Sequence, residues 1–188
     1  MLRAAKLTAL KIASMGIAGV GVAGIGIAGM AIATASPLPA QAATPRAPAV
    51  YTPKVGSAER NALLAALRFH PTARFTFTHL RVRHSGSRAI AYAEGDNGII
   101  GSFRMLLVKK KGQSWRSVWV ESDGGSNSCA DGARHYRWAM NLIRTYGVAP
   151  DALMPGITAE TQKLEQQAKV DPEIHCVGEI EGGPARTS

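Results

Sequence analysis

The sequence predicts an α+β domain: an N-terminal helix packed on a four-stranded antiparallel meander, followed by one or two C-terminal helices. Three observations carry that expectation. Leu63 and Leu67, with Leu64 beside them, form an apolar stripe at helical spacing. Four runs rich in aromatic and branched residues then follow between Arg74 and Val120, separated by turn residues. After a glycine-rich connection, Tyr136, Ala139, Met140 and Ile143 return to helical spacing.

The elements follow in order. Ser57 suits an N-cap and Glu59 the first turn of a helix over 58–68, which Pro71 stops. In the first strand, Phe75 and Phe77 lie on one parity and Leu80 and Val82 on the other. A bulge near Thr78 or His79 would reconcile them, as would burial of both faces. His84-Ser85-Gly86-Ser87 makes a turn, Arg88 to Ala93 a second strand, and Glu94 to Gly98 a second turn. Phe103 to Val108 and Trp115 to Val120 form a hairpin around Lys109-Lys110-Lys111-Gly112-Gln113-Ser114, where Gly112 takes the positive φ of a reversing chain. Neither face of the last strand is cleanly apolar, so both faces are expected to be partly covered. Residues 122–128 are loop-like in composition. A helix over 133–146 ends at Gly147, and Thr158 is expected to cap a polar helix over 159–169.

Lys and Arg number 22 against 13 Asp and Glu in 188 residues, a formal charge of +9. Arg3, Lys6 and Lys11 precede an apolar run from Ile12 to Ala35, then Pro37, Pro39 and Ala40-Gln41-Ala42. A basic start, an apolar core and a small-x-small ending describe a signal peptide over 1–42, and hence a periplasmic or secreted protein carrying +6. The apolar run is also long enough to cross a bilayer, so an uncleaved anchor is the alternative. Two G-x-G-x-x-G matches at Gly19–Gly24 and Gly24–Gly29 have no acidic residue before Glu59, which excludes a dinucleotide site. Pro45, Pro48 and Pro53 mark 43–56 as a linker, leaving one domain over 57–180 and a disordered tail over 181–188.

Over 57–120, the short helix, the strands and the turn carrying Gly112, Trp115 and Arg116 resemble small bacterial periplasmic proteins of unassigned function with a cystatin-like or NTF2-like build. The resemblance implies a fold. The Gln-x-Val-x-Gly loop of inhibitory cystatins is missing, so no activity is carried over.

Cys129 and Cys176 are the only cysteines, and in an oxidising compartment they are expected to form a disulfide. Bridged sulfurs supply no thiolate nucleophile. The His and Cys spacing fits no zinc site, and neither metal nor cofactor is expected. Glu121, Asp123, Ser126, Ser128, Asp131 and His135 contain the residue types of a Ser–His–Asp centre, which makes a small secreted hydrolase using 121–135 the alternative function. No G-x-S-x-G elbow is present, and a connection with turn and cap residues accounts for the same composition.

Arg81, Arg83 and Arg88 flank the first turn of the meander, and Lys109, Lys110 and Lys111 form the third. Connections one and three of a meander share an end, so the sequence places these six cations together as an anion-binding site. The expected partner is an anionic envelope polymer, a lipid headgroup or an acidic protein, met by a non-catalytic binding protein. Nucleic acid is the poorer partner in this compartment, and the membrane is met through the leader only if it stays uncleaved. A membrane-anchored envelope structural protein is the remaining alternative.

Overall fold

The computed structural model describes residues 49–67, 74–99, 101–171 and 173–185. The expected leader, its cleavage site, the first part of the linker and Pro71 lie outside them. The architecture is α+β, with elements α1 (Ala58–Leu67), β1 (Thr76–Ser85), β2 (Arg88–Asp96), β3 (Ser102–Lys110), β4 (Arg116–Ser128), α2 (Cys129–Arg144), α3 (Pro150–Leu153), α4 (Ile157–Val170) and β5 (His175–Gly182). Five strands, where the sequence suggested four, form one antiparallel sheet in sequence order. No helix among the described residues is long and apolar enough to cross a membrane.

Strand alternation explains why both sheet faces are buried. In β2, Ala89, Ala91 and Ala93 point one way, and Ile90 and Tyr92 the other; all five are buried. The alanine face joins Leu80, Phe103, Met105 and Leu107 in a cluster with Leu63 and Leu67 of α1, both fully buried. The opposite face joins Leu106 and Trp119 to Tyr136, Ala139, Ile143, Leu153, Ile157 and Leu164 of the other helices. The phase shift in β1 is a bulge: Phe77 pairs with Gly95 and His79 with Glu94, leaving Thr78 as the extra residue. Ser57 accepts a hydrogen bond from the Arg60 amide at 3.2 Å, the expected cap of α1.

Several boundaries differ from the sequence reading. Residues 122–128 belong to β4, and Ser128 caps α2, which therefore begins at Cys129. Their polar composition suits a loop, yet β5 pairs along them, with register shifts between Ser122 and Asn127 that absorb the irregular stretch. β5 itself contains Gly178, a residue that reads as a breaker. Here glycine permits close approach, since a Cβ would lie 1.6 Å from the Ser122 carbonyl oxygen. Pairing continues through Glu181 and Gly182, so strand structure reaches into the segment read as tail. α4 starts after Gly156, with Thr158 bonded to Asp151, and it buries Ile157 and Thr161 besides Leu164. The end of the linker is held as well. Tyr51 exchanges backbone hydrogen bonds with Val82 at 3.0 and 2.8 Å, covering part of the β1 edge.

Candidate anion-binding site

The β1–β2 and β3–β4 turns lie at one end of the sheet and are joined by a hydrogen bond from the Lys111 amide to the Ser87 carbonyl, 2.7 Å. Between them is a groove of about 460 Å³ bordered by Lys109, Lys110, Lys111, Arg88 and His84, with no carboxylate in its lining. Lys110 and Lys111 are exposed, and Lys109 is half-buried with its ammonium 5.9 Å from the centre of the Trp115 ring. None of the three lysines forms an ion pair among the described residues. His84 is held to α1 by Glu59 at 2.7 Å and stacks on Tyr51.

The three arginines expected beside these lysines have a different task. Arg83, only 5% exposed, donates to the carbonyls of Tyr146 and Gly147 at 3.3 and 3.2 Å. Arg88 donates to Thr145 O at 3.0 Å and lies 4.9 Å over the Tyr146 ring. Arg81 donates to Ala152 O in α3 at 2.8 Å. The last carbonyls of a helix have no intrahelical donors and carry partial negative charge. Arg88 therefore satisfies the C-cap carbonyl of α2, Arg83 binds the turn just beyond it, and together they hold this end of the helix to the sheet. Of the six cations, the lysines remain open to an external anion, and Arg88 borders their groove.

A second charged region lies on the α2 face, toward the β2–β3 end. Strand register places His79 opposite Glu94, Glu94 opposite Arg104, and Arg104 opposite Glu121. Four adjacent strands thus contribute one row. His79 contacts Glu94 at 2.8 Å, and Arg104 Nε reaches Glu94 at 3.4 Å. Arg104 also donates to the Tyr136 hydroxyl at 2.6 Å, and that hydroxyl donates to Glu121. Burial works to raise the Glu94 pKa, but bonds from His79 and Tyr92 and the Arg104 charge outweigh it and hold it low. Burial alone would lower the Arg104 pKa; Tyr136 and Glu121 overcome this, and the guanidinium stays charged. Burial, reinforced by Glu94 and by Glu121 respectively, raises the Tyr92 and Tyr136 hydroxyls, so both remain protonated donors.

This row borders a cleft of about 520 Å³ whose other carboxylates are Asp96, Asp123 and Glu160. Each has an internal partner. Asp96 accepts from the Gly98 amide at 2.6 Å, Asp123 from the Ser102 amide and hydroxyl, both at 3.0 Å, and Glu160 lies 3.8 Å from Lys163. The row was missed in the sequence because its members sit far apart along the chain. Its one signal is a charged residue at an inward position of each of three apolar strands.

The residues of 121–135 go to separate places. Glu121 and Asp123 join the cleft, while Ser126 Oγ lies 2.5 Å from His175 Nδ1 on β5. Ser128 Oγ accepts from the Asp131 amide at 3.2 Å. Asp131 pairs with Arg134 at 2.8 Å, and that bond holds its carboxyl below the usual range. His135 is buried against Gly183. Cys129 and Cys176 form a disulfide with Cα atoms 4.9 Å apart, tying the start of α2 to β5. No protein family, curated protein or solved structure matches the chain.

Proposed function

We propose that this is an exported, non-catalytic binding protein of the cell envelope, of cystatin-like or NTF2-like build with α1 docked on the meander. The lysine turn is its contact with an anionic polymer, headgroup or acidic protein. One observation supports this most: the groove between the joined turns has cations on its walls and no carboxylate in its lining, whereas the carboxylates of the cleft at the other end each have an internal hydrogen-bond or ion-pair partner. The disulfide and the expected signal peptide support export. A cationic surface of this kind attracts anions with an affinity that salt reduces.

The experiment is co-sedimentation with anionic and neutral vesicles, and with anionic envelope polymers, at low and near-physiological salt. Binding is expected to the anionic targets, weaker at higher salt, and lost on replacing Lys109, Lys110 and Lys111 with Gln. Equal binding to neutral and anionic targets, or unchanged affinity in the triple variant, overturns the proposal.

A further inference from the structure

Resting on that reading, we infer that the groove between the β1–β2 and β3–β4 turns is a site for a phosphomonoester dianion, carried on a lipid headgroup or on a soluble phosphate ester. The bond from the Lys111 amide to Ser87 O fixes the two turns relative to each other, so the walls exist before a ligand arrives. The groove is large enough for a phosphate with the start of its ester group, at about 460 Å³.

The kind of cation decides between anions. A flat carboxylate is best gripped by a free guanidinium fork, which gives two parallel hydrogen bonds. The only guanidinium here, that of Arg88, already donates to Thr145 O and rests on the Tyr146 ring. It supplies charge and shape to the wall. The groups left to reach an anion are ammonium ions, compact charges with three donors each and no preferred plane. Such a set fits a tetrahedral group whose oxygens point in several directions. A phosphomonoester brings a charge of about −1.5 to −2 at neutral pH, which a phosphodiester does not. Close to several lysines and with no carboxylate opposing it, the more highly charged group gains most. Gly112, at φ +75°, and Gly86, at φ +59°, have no atom within 4 Å of where a Cβ would stand, so the turn backbones leave the mouth of the groove open.

The test compares binding of the full chain to vesicles containing phosphatidic acid with vesicles containing phosphatidylglycerol, matched for total surface charge. The expected preference for phosphatidic acid is about tenfold, the factor that one additional charge-assisted hydrogen bond supplies. Replacing Lys109, Lys110 and Lys111 with Gln should abolish the preference; should that variant not fold, Lys110→Gln should reduce it. Equal affinity for the two lipids, with no phosphate-induced shifts in the turns, overturns the phosphomonoester assignment and leaves the broader anionic reading standing, while no affinity for either lipid together with no response to phosphate removes both. Amide chemical shifts on adding inorganic phosphate, with chloride at equal ionic strength as comparison, separate the sources. Shifts at 86–88 and 109–112 with phosphate alone assign a soluble phosphate ester; their absence alongside a phosphatidic acid preference assigns the lipid. A response to chloride as strong as that to phosphate, without a lipid preference, contradicts the site.

Discussion

At the β2–β3 end of the sheet, Glu94, Arg104 and Glu121 lie opposite one another on adjacent strands, and both carboxylates pair with the one guanidinium. At the other end, Lys109, Lys110 and Lys111 stand on a turn with no ion pair among the described residues. The first arrangement closes hydrogen bonds between the sheet and α2 through Tyr136. The second leaves charge facing outward. Between these extremes, Arg81, Arg83 and Arg88 are cations in the basic region that behave as structural residues, because backbone carbonyls at or just beyond helix ends take their donors. Where a charge is answered within the fold, it contributes to stability; where it is not, it is open to a partner.

If this distinction holds, removing Arg104 should have the largest effect on stability. Arg104→Ala leaves Glu94, Glu121 and the Tyr136 hydroxyl without their shared donor. The expected cost is about 3 kcal/mol, at the low end for breaking a buried pair, because the guanidinium is 38% exposed. Urea denaturation measures it, and a change within the error of the midpoint would show that the row is ornamental to stability.

Arg83→Ala should come next. It removes two charge-assisted bonds to the turn that follows α2 and should cost roughly 2 kcal/mol. The same variant should bind anionic vesicles as the wild type does, since Arg83 is buried and does not line the groove. A loss of vesicle binding with stability intact would return Arg83 to the binding surface.

Glu94 gives a smaller effect that depends on pH. Its pKa in the fold is held below the ordinary 4.5, so its contribution to stability is complete above that value and is lost as pH falls through the folded-state value. Acid titration should therefore destabilise the wild type more steeply below pH 4.5 than it destabilises Glu94→Gln. Asp131, also held low, is common to both proteins and cancels in the comparison. Parallel acid profiles would show that Glu94 is not stabilised in the fold.

How much of this was legible in the sequence follows from the range of each interaction. The leucine stripe of α1, the bulge near Thr78 and the basic turn are local patterns, and the chain displays them directly. The two lysine- and arginine-flanked turns could be placed at one end from meander topology alone. What the sequence could not display was the destination of the arginine donors, because the carbonyls of Thr145, Tyr146 and Gly147 lie about 60 residues away. The charged row is hidden for the same reason: it appears only once four strands take their register. β5 was concealed by Gly178 and by polar alternation, although its pairing with β4 depends on that glycine.

The measurement that bears most directly on the division between answered and unanswered charge is made on two variants side by side. Binding to anionic vesicles at low salt and the thermal midpoint are recorded for the Lys109, Lys110, Lys111→Gln triple variant and for Arg83→Gln. The triple variant should lose binding while its stability shifts by no more than about 0.5 kcal/mol, as for surface substitutions. Arg83→Gln should keep binding and melt earlier. The reverse pattern, with stability falling in the lysine variant and binding falling in the arginine variant, would contradict the assignment of the lysine turn to partners and of the arginines to the fold.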